Sequence, residues 1–357
     1  MWHTRLTEKV GIQFPIIQAP MAGGATTPEL VASVSNAGGL GSLAAGYMSP
    51  NEIRQQIIKI RELTNKPFAV NLFIPEAHNA SPDQIKKACN EINQSCVELN
   101  LKIEPVIEPY TQSFEEQIKI LLEEKIPVFS FTFGMLDALW ISSFKKAHTV
   151  LVGTATTLAE AQALERSGID IIVAQGSEAG GHRGTFLGKA EDALIGLFSL
   201  IPQLADTIKI PVVAAGGIMD GRGIIAAMTL GASAVQMGTA FLSCAEAGIP
   251  QRYKHALLTK QPDNTVLTRA FSGKLARGIR NKFIDSMNNK NNILDYPIQN
   301  ALTNIMRKKA KELNNIDFMS MWAGQAAGLC RNTTSSELIN TLIIEAEALL
   351  SGRNNAL

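Results

Sequence analysis

Short runs rich in valine, isoleucine and alanine recur along the chain, with helical stretches between them. They are Pro15 to Ala22, Gly39 to Gly46, Phe68 to Phe73, Val128 to Gly134, Thr149 to Ala155, Asp170 to Gly176, Pro211 to Gly217 and Ala234 to Phe241. These runs do not alternate apolar with polar residues. They are apolar on both faces, as strands of a covered parallel sheet are. The intervening stretches carry helix signals. Thr156 to Ser167 opens on a threonine cap and ends at Gly168, and Gly221 to Leu230 is followed by Gly231. Eight strands alternating with helices predict an α/β chain folded as a (β/α)8 TIM barrel. A doubly wound open sheet is the alternative. It would show fewer strands and a glycine-rich phosphate turn after the first one.

Two segments exceed a minimal barrel, which on this pattern occupies 1–243. The first is an insertion around 74–127. It has room for an extra helix (Asp83 to Leu99) and for the apolar run Lys102 to Ile107, which is a possible further strand. The second follows Phe241. It shows no clear strand periodicity and holds basic and Asn-rich pieces such as NNKNN (Asn288 to Asn292). Residues 244–357 therefore predict a mostly helical segment packed over the barrel mouth.

Composition narrows the class of ligand. Of 357 residues, 46% are apolar, ample for one large core, and 33 Lys plus Arg balance 32 Asp plus Glu. That balance argues against a nucleic-acid partner or an anionic membrane surface, and for a small ligand. The four cysteines, Cys89, Cys96, Cys244 and Cys330, show no CxxC pair and no histidine at metal-ligand spacing. Neither a disulfide framework nor a metal site is expected, and a reducing cytoplasm fits. No apolar stretch approaches the roughly 18 residues needed to span a bilayer, and the N-terminus has no signal-peptide core. A soluble protein is expected. A homodimer is compatible with this composition, which does not decide the oligomeric state.

Barrel enzymes work at the C-terminal ends of their strands. There the chain places Gln18 to Gly24, Asn71, Gln175, Gly216-Gly217 and Gln236 to Thr239. Amides and glycines thus gather where a ligand would lie. The pair AAGGI (Ala214 to Ile218) and QMGTAF (Gln236 to Phe241) follows strands seven and eight, the phosphate site of this fold. Backbone N–H groups of Gly217, Gly238 and Thr239, with the Thr239 hydroxyl, suit a phosphate at a helix N-terminus. The plainer reading is that these glycines only permit tight turns.

After strand six comes AQGSEAGGHRG, Ala174 to Gly184. His182 falls eight residues past Ala174, over the barrel mouth. A neutral imidazole there can take a proton from a carbon acid, since its ordinary pKa is about 6.5. Arg183 is expected to favour the neutral form by repulsion. The bland alternative is a histidine that hydrogen-bonds a loop. His3, His78, His148 and His255 read as structural or solvated. Glu178 reads as a loop brace. Ser177 has no partner acid, so a hydrolase is not supported.

These same residues resemble a known family. QAPMAGG, SNAGGLGS, NLF, AQGSEAGGHRG, PVVAAGGI and QMGTAF look like the FMN-dependent nitronate monooxygenases. FSGKLARGIRNKF (Phe271 to Phe283) and MWAGQ (Met321 to Gln325) are closer to the class I enzymes. The likeness covers essentially the whole chain. It implies flavin contacts from Asn71, Gln175, Gly180, Gly217 and Gln236-Met237-Gly238-Thr239, with Pro20 and Met21 facing the isoalloxazine. It implies His182 as catalytic base, or as the group that positions a nitronate already ionised. The implied reaction passes one electron through flavin to dioxygen and yields a carbonyl compound with nitrite or nitrate. The implied substrate is propionate 3-nitronate, so a toxic compound is removed.

A positive charge near flavin N1 is also expected. No lysine stands at a strand end, which leaves Lys274, Arg277 or Arg280 to fold back for that purpose or to bind a substrate carboxylate. SNAGGLGS is expected to pack beneath the flavin. FMN-dependent enoyl-ACP reductases and quinone reductases, which consume NAD(P)H, share the barrel and a similar loop and remain the alternative. No second phosphate motif for a nicotinamide is visible. A flavin-binding protein without turnover is the remaining reading.

Overall fold

The computed structural model describes residues 2–259, 264–288 and 290–352. Eight parallel strands form one sheet: β1 (Ile16–Gln18), β2 (Gly41–Ala44), β3 (Phe68–Phe73), β4 (Val128–Thr132), β5 (Val150–Ala155), β6 (Ile171–Gln175), β8 (Val212–Ala215) and β9 (Ala234–Met237). A two-residue strand, β7 (Gly181–His182), lies apart from this sheet. The order β1-β9-β8-β6-β5-β4-β3-β2 runs once around, and a parallel bridge between Ile17 and Leu40 joins the two ends. The sheet is thus the expected (β/α)8 barrel.

The strands explain their own composition. Outward residues such as Val70, Phe129, Phe131, Leu151, Ile172 and Val235 pack under the surrounding helices. Inward residues Ala69, Val128, Val152, Ile171, Val213 and Ala234 form a separate inner cluster. Leu6 and Val10, from the N-terminal helix Arg5–Val10, join that cluster and close the barrel floor. With apolar partners on both sides, the low strand positions have no reason to alternate.

The expected helices form between the strands. Leu158–Ser167 starts at Thr157, whose side chain accepts the Glu160 N–H, and stops at left-handed Gly168. Gly221–Thr229 is capped by Asp220. In the insertion, helix Pro82–Ser95 and a 3₁₀ turn Val97–Leu99 replace the single predicted helix. The run Lys102 to Ile107 is not a strand. Pro105 removes a ladder donor, and the Asn93 side chain satisfies both the N–H and the carbonyl of Ile103 (2.7 and 2.9 Å).

The C-terminal residues hold helices, but also two strands without a sequence signal. β10 (Thr265–Thr268) and β11 (Ala276–Ile279) form an antiparallel hairpin, and β11 also pairs with β7. Each is only four residues long, too short for a period to show. The last long helix, Ser335–Leu350, packs on the barrel's flank against Gly221–Thr229 and Pro28–Asn36. No described helix is long and apolar enough to cross a membrane.

Candidate active site

The inward positions change character along the strands. Near the floor they are apolar. Near the C-terminal ends they are Asn71, Thr132, Thr154, Gln175 and Gln236, and all five line one cavity of about 1330 Å³. The candidate base and every residue expected to contact the flavin ring or phosphate line it too: Pro20, Met21, Asn71, Gln175, Gly180, His182, Gly217, Gln236, Met237, Gly238 and Thr239. The SNAGGLGS segment does not. Gly41 touches no cavity; a Cβ there would lie 2.1 Å from the Val31 carbonyl oxygen. Its glycines let helix Pro28–Asn36 press on β2 at the other end of the barrel.

His182 sits in β7 and pairs with Ala276 of β11 in antiparallel register. The barrel supplies the second support. The Gln175 amide donates to the His182 carbonyl at 2.9 Å and accepts the Gly184 N–H at 2.8 Å. Gln175 therefore faces the cavity while bracing the loop. Gly180 has a similar double position: a Cβ there would lie 2.5 Å from Gly324 N, so the MWAGQ backbone presses directly on the glycine loop.

Arg183 does not act on the histidine as expected. It is fully buried, and its guanidinium donates to the carbonyls of Gly176 (2.5 Å), Gln175 (3.1 Å) and Ala193 (3.1 Å). Successive strand residues point to opposite faces, so the neighbour of a cavity-lining histidine turns into the protein. Glu178 is the predicted brace: one of its oxygens accepts the Leu197 N–H at 2.9 Å.

The His182 ring lies between Trp322 and Phe133, with ring centres 5.2 and 5.9 Å away. Phe133 holds a left-handed backbone (φ 77°) beside the cavity, unusual for a bulky side chain. The ring Nε2 is 2.8 Å from the Ser272 hydroxyl. Burial, then the positive charges of Lys274 and Arg307, pull the His182 pKa down to about 3. The ring is neutral at neutral pH. Lys274 and Arg307 thus do what Arg183 was expected to do.

At the phosphate end, Gly216 and Gly217 have left-handed φ values of 132° and 67°. The helix after β8 has its N-terminus closed by Asp220, whose carboxylate accepts from Arg222 and Gly223 N–H. The short helix Thr239–Leu242 has no side-chain cap. The Thr239 hydroxyl already accepts the Gly324 N–H at 2.9 Å, which leaves its own O–H to donate.

The cations expected to fold back do not line the cavity. Lys274 pairs with Glu76 (2.6 Å), Arg277 donates to the Ser177 carbonyl (3.1 Å), and Arg280 pairs with Asp285 on the surface. Helix Asn304–Glu312 instead brings Arg307, Lys308 and Lys311 to the wall. Sequence reading missed these three, and Tyr47, Ser272 and Trp322 with them. Ser272 and Trp322 lay within the quoted FSGKLARG and MWAGQ stretches. The helix cations carried no signal, because the run NIMRKKAKE reads as a solvated surface helix.

A family model described as nitronate monooxygenase matches residues 3–345. The chain belongs to the nitronate monooxygenase family. Nitronate monooxygenases catalyse oxidation, and this chain is an oxidoreductase. It is 46% identical over 352 residues to a probable nitronate monooxygenase of Staphylococcus saprophyticus, covering 98% of this chain and 99% of that one. The crystal structure of a nitroalkane oxidase from Streptomyces ansochromogenes is 37% identical with a TM-score of 0.89, covering 98% and 99% of the two chains. FabK from Thermotoga maritima is 29% identical with a TM-score of 0.77 and full coverage of both chains (100%). Among the described residues no group of three or more His, Cys, Asp or Glu is placed to hold a metal.

Proposed function

We propose that this oxidoreductase is an FMN-dependent nitronate monooxygenase. Its substrates are alkyl nitronates, with propionate 3-nitronate foremost, and dioxygen. Its products are a carbonyl compound and nitrite or nitrate, and its role is detoxification. The observation that carries this reading is a neutral histidine held over a cavity of about 1330 Å³ whose strand-end wall presents amides, threonines and glycines.

The wall suits FMN. The cavity is larger than a small substrate requires. Gly216 and Gly217 occupy left-handed conformations at one end, and the uncapped turn at Thr239 lies beside them, so backbone N–H groups suit a phosphate there. Gly217, Gly238 and Thr239 would hold the phosphate. Pro20, Met21, Asn71, Gln175, Gly180, Gln236 and Met237 would line the ring. When bound, FMN supplies one-electron oxidation of the nitronate and delivery of that electron to dioxygen. The chain's own groups orient the substrate. His182, with Nε2 fixed on Ser272, presents a neutral ring between Trp322 and Phe133. A ring with a pKa of about 3 is a weak base toward a neutral nitroalkane. It therefore favours a substrate that arrives ionised, which it positions rather than deprotonates. Four buried free cysteines support a reducing, cytoplasmic setting.

The test is anaerobic absorbance of the purified protein with its flavin, given a nitronate in one cuvette and NADH in another. Rapid flavin reduction by the nitronate alone is the expected result. Reduction by NADH alone would move the protein to the reductase reading. Absence of bound flavin would overturn the cofactor assignment. His182→Asn should lower kcat/KM for preformed nitronates by roughly 10-fold, as loss of one positioning contact does; a loss of roughly 10²- to 10⁴-fold confined to neutral nitroalkanes would make the ring a base instead.

A further inference from the structure

At about 1330 Å³ the cavity exceeds the roughly 300–1,000 Å³ of an ordinary small-molecule pocket. FMN with a nitronate of only a few carbons leaves part of it unfilled. The wall that leads away from His182 shows what kind of group fits there.

From the imidazole the wall continues as a row of rings. Phe133 lies 5.9 Å from His182, Phe73 lies 4.8 Å from Phe133, and Tyr47 lies 5.3 Å from Phe73, centre to centre. All four side chains line the cavity. The backbone holds the row in place. Phe133 keeps its left-handed φ of 77°, which a bulky residue adopts only where its surroundings enforce it. Gly46 leaves the space that Phe73 fills, since a Cβ there would run into the ring. The row is also uncharged. Burial keeps the Tyr47 phenol protonated, and Lys274, 4.5 Å from the Phe133 ring centre, stands outside the cavity lining and is paired with Glu76.

Tyr47 lies where the insertion and the helix Asn304–Glu312 meet. The Gln117 side chain donates to the carbonyls of Met48 (2.7 Å) and Ala45 (3.4 Å), and the Arg307 charge reaches the phenol. Each of these two segments brings an exposed apolar side chain to the cavity. Ile107 is 86% exposed, more than any other large apolar side chain among the described residues, and Ile305 is 55% exposed. Water against such surface is unfavourable, and an apolar ligand displaces it.

We infer that this row is a tail subsite, by which the enzyme takes nitronates carrying a long alkyl chain, with Phe73 and Ile107 as the residues that set the preference. This deepens the nitronate reading and rests on it. The nitronate group stays at His182, and the chain runs over Phe133 and Phe73 toward the mouth between Ile107 and Ile305. Each methylene fully buried there multiplies affinity about fourfold. A short nitronate gains little from the row.

The test compares preformed ethyl, butyl and octyl nitronates on the flavin-loaded enzyme. In the wild type, kcat/KM should rise by roughly 10- to 100-fold from ethyl to octyl, mostly through KM, as burial of part of the added chain gives. Phe73→Ala should remove most of this preference. Ile107→Ser, a change at an exposed position that leaves the core untouched, should lower the octyl-to-ethyl ratio by roughly 3-fold. Acetate, butyrate and octanoate carry a planar two-oxygen anion like that of a nitronate and are not oxidised. Their binding, read from the bound-flavin absorbance, should tighten with length in the wild type and lose that trend in Phe73→Ala. A kcat/KM that does not rise with chain length, or a ratio that neither variant changes, would overturn the subsite. Length-dependent binding of the carboxylates to a protein that oxidises no nitronate would instead retain the subsite and reject the proposed reaction.

Discussion

The barrel wall and the hairpin that crosses its mouth both position His182, and they do so by different physics. Strand β6 is local: Ile171 to Gln175 is flanked by strands that repeat its pattern, and each inward residue has an equivalent on the next strand. The hairpin is long-range. Ala276 meets His182 only because the chain returns after three further strands and several helices. The wall therefore tolerates reading residue by residue, whereas the mouth exists only as an assembly. Two adjacent residues show the consequence. His182 faces the cavity, while Arg183, the residue just past that two-residue strand, is fully buried among backbone carbonyls.

That contrast gives a graded set of tests. Arg183→Met should be the most damaging change, because it strips the donor from three carbonyls that shape the glycine loop. A loss of about 3–5 kcal/mol in urea unfolding is expected, with activity lost alongside. A stable but inactive variant would show instead that Arg183 acts at the cavity.

Acid sensitivity comes next. The unfolded His182 side chain takes up its proton near about pH 6.5, whereas the folded ring does so only near about pH 3. Between these values the unfolded chain binds the extra proton, so stability is full above pH 6.5 and falls as pH drops toward 3. The wild type should lose about 2–3 kcal/mol more than His182→Gln between pH 7 and 4. Equal acid sensitivity in both proteins would mean that the ring is accessible and ordinary.

The barrel's far end should respond differently. Gly41→Ala places a methyl 2.1 Å from the Val31 carbonyl oxygen and should cost about 1–3 kcal/mol of stability. Its kcat/KM should match the wild type, because the segment does not line the cavity. A change in catalysis would restore the idea that SNAGGLGS serves the ligand. The smallest effect belongs to Ser272→Ala, which removes the hydroxyl 2.8 Å from the His182 ring. It should lower kcat/KM by roughly 3- to 10-fold and cost about 1 kcal/mol in unfolding, because the buried hydroxyl also bonds the Lys274 backbone.

Much of this was legible in the chain. The eight apolar runs located every barrel strand, with ends displaced by a few residues. Pro15 to Ala22, for example, shortens to Ile16–Gln18, because Pro20 has no N–H to give a ladder and Gly23 and Gly24 turn the chain with left-handed φ. The glycine-rich strand ends correctly marked one cavity. What could not be read was charge placement. Lys274, Arg277 and Arg280 stood in the basic stretch FSGKLARGIRNKF and found partners elsewhere, while Arg307 stood in an ordinary amphipathic helix and reached the wall.

The sequence by itself determined the number and order of the strands, and the end of the barrel at which amides and glycines collect. Both follow from local spacing and from what each residue can bury, since a strand apolar on two faces has to be covered on both. Only the tertiary structure decided which backbone holds His182, why its ring is neutral, and which cations reach the cavity wall. Those outcomes depend on segments far apart in the chain. Four-residue strands carry no period, and the pairing of a buried charge is settled by whichever side chain arrives beside it.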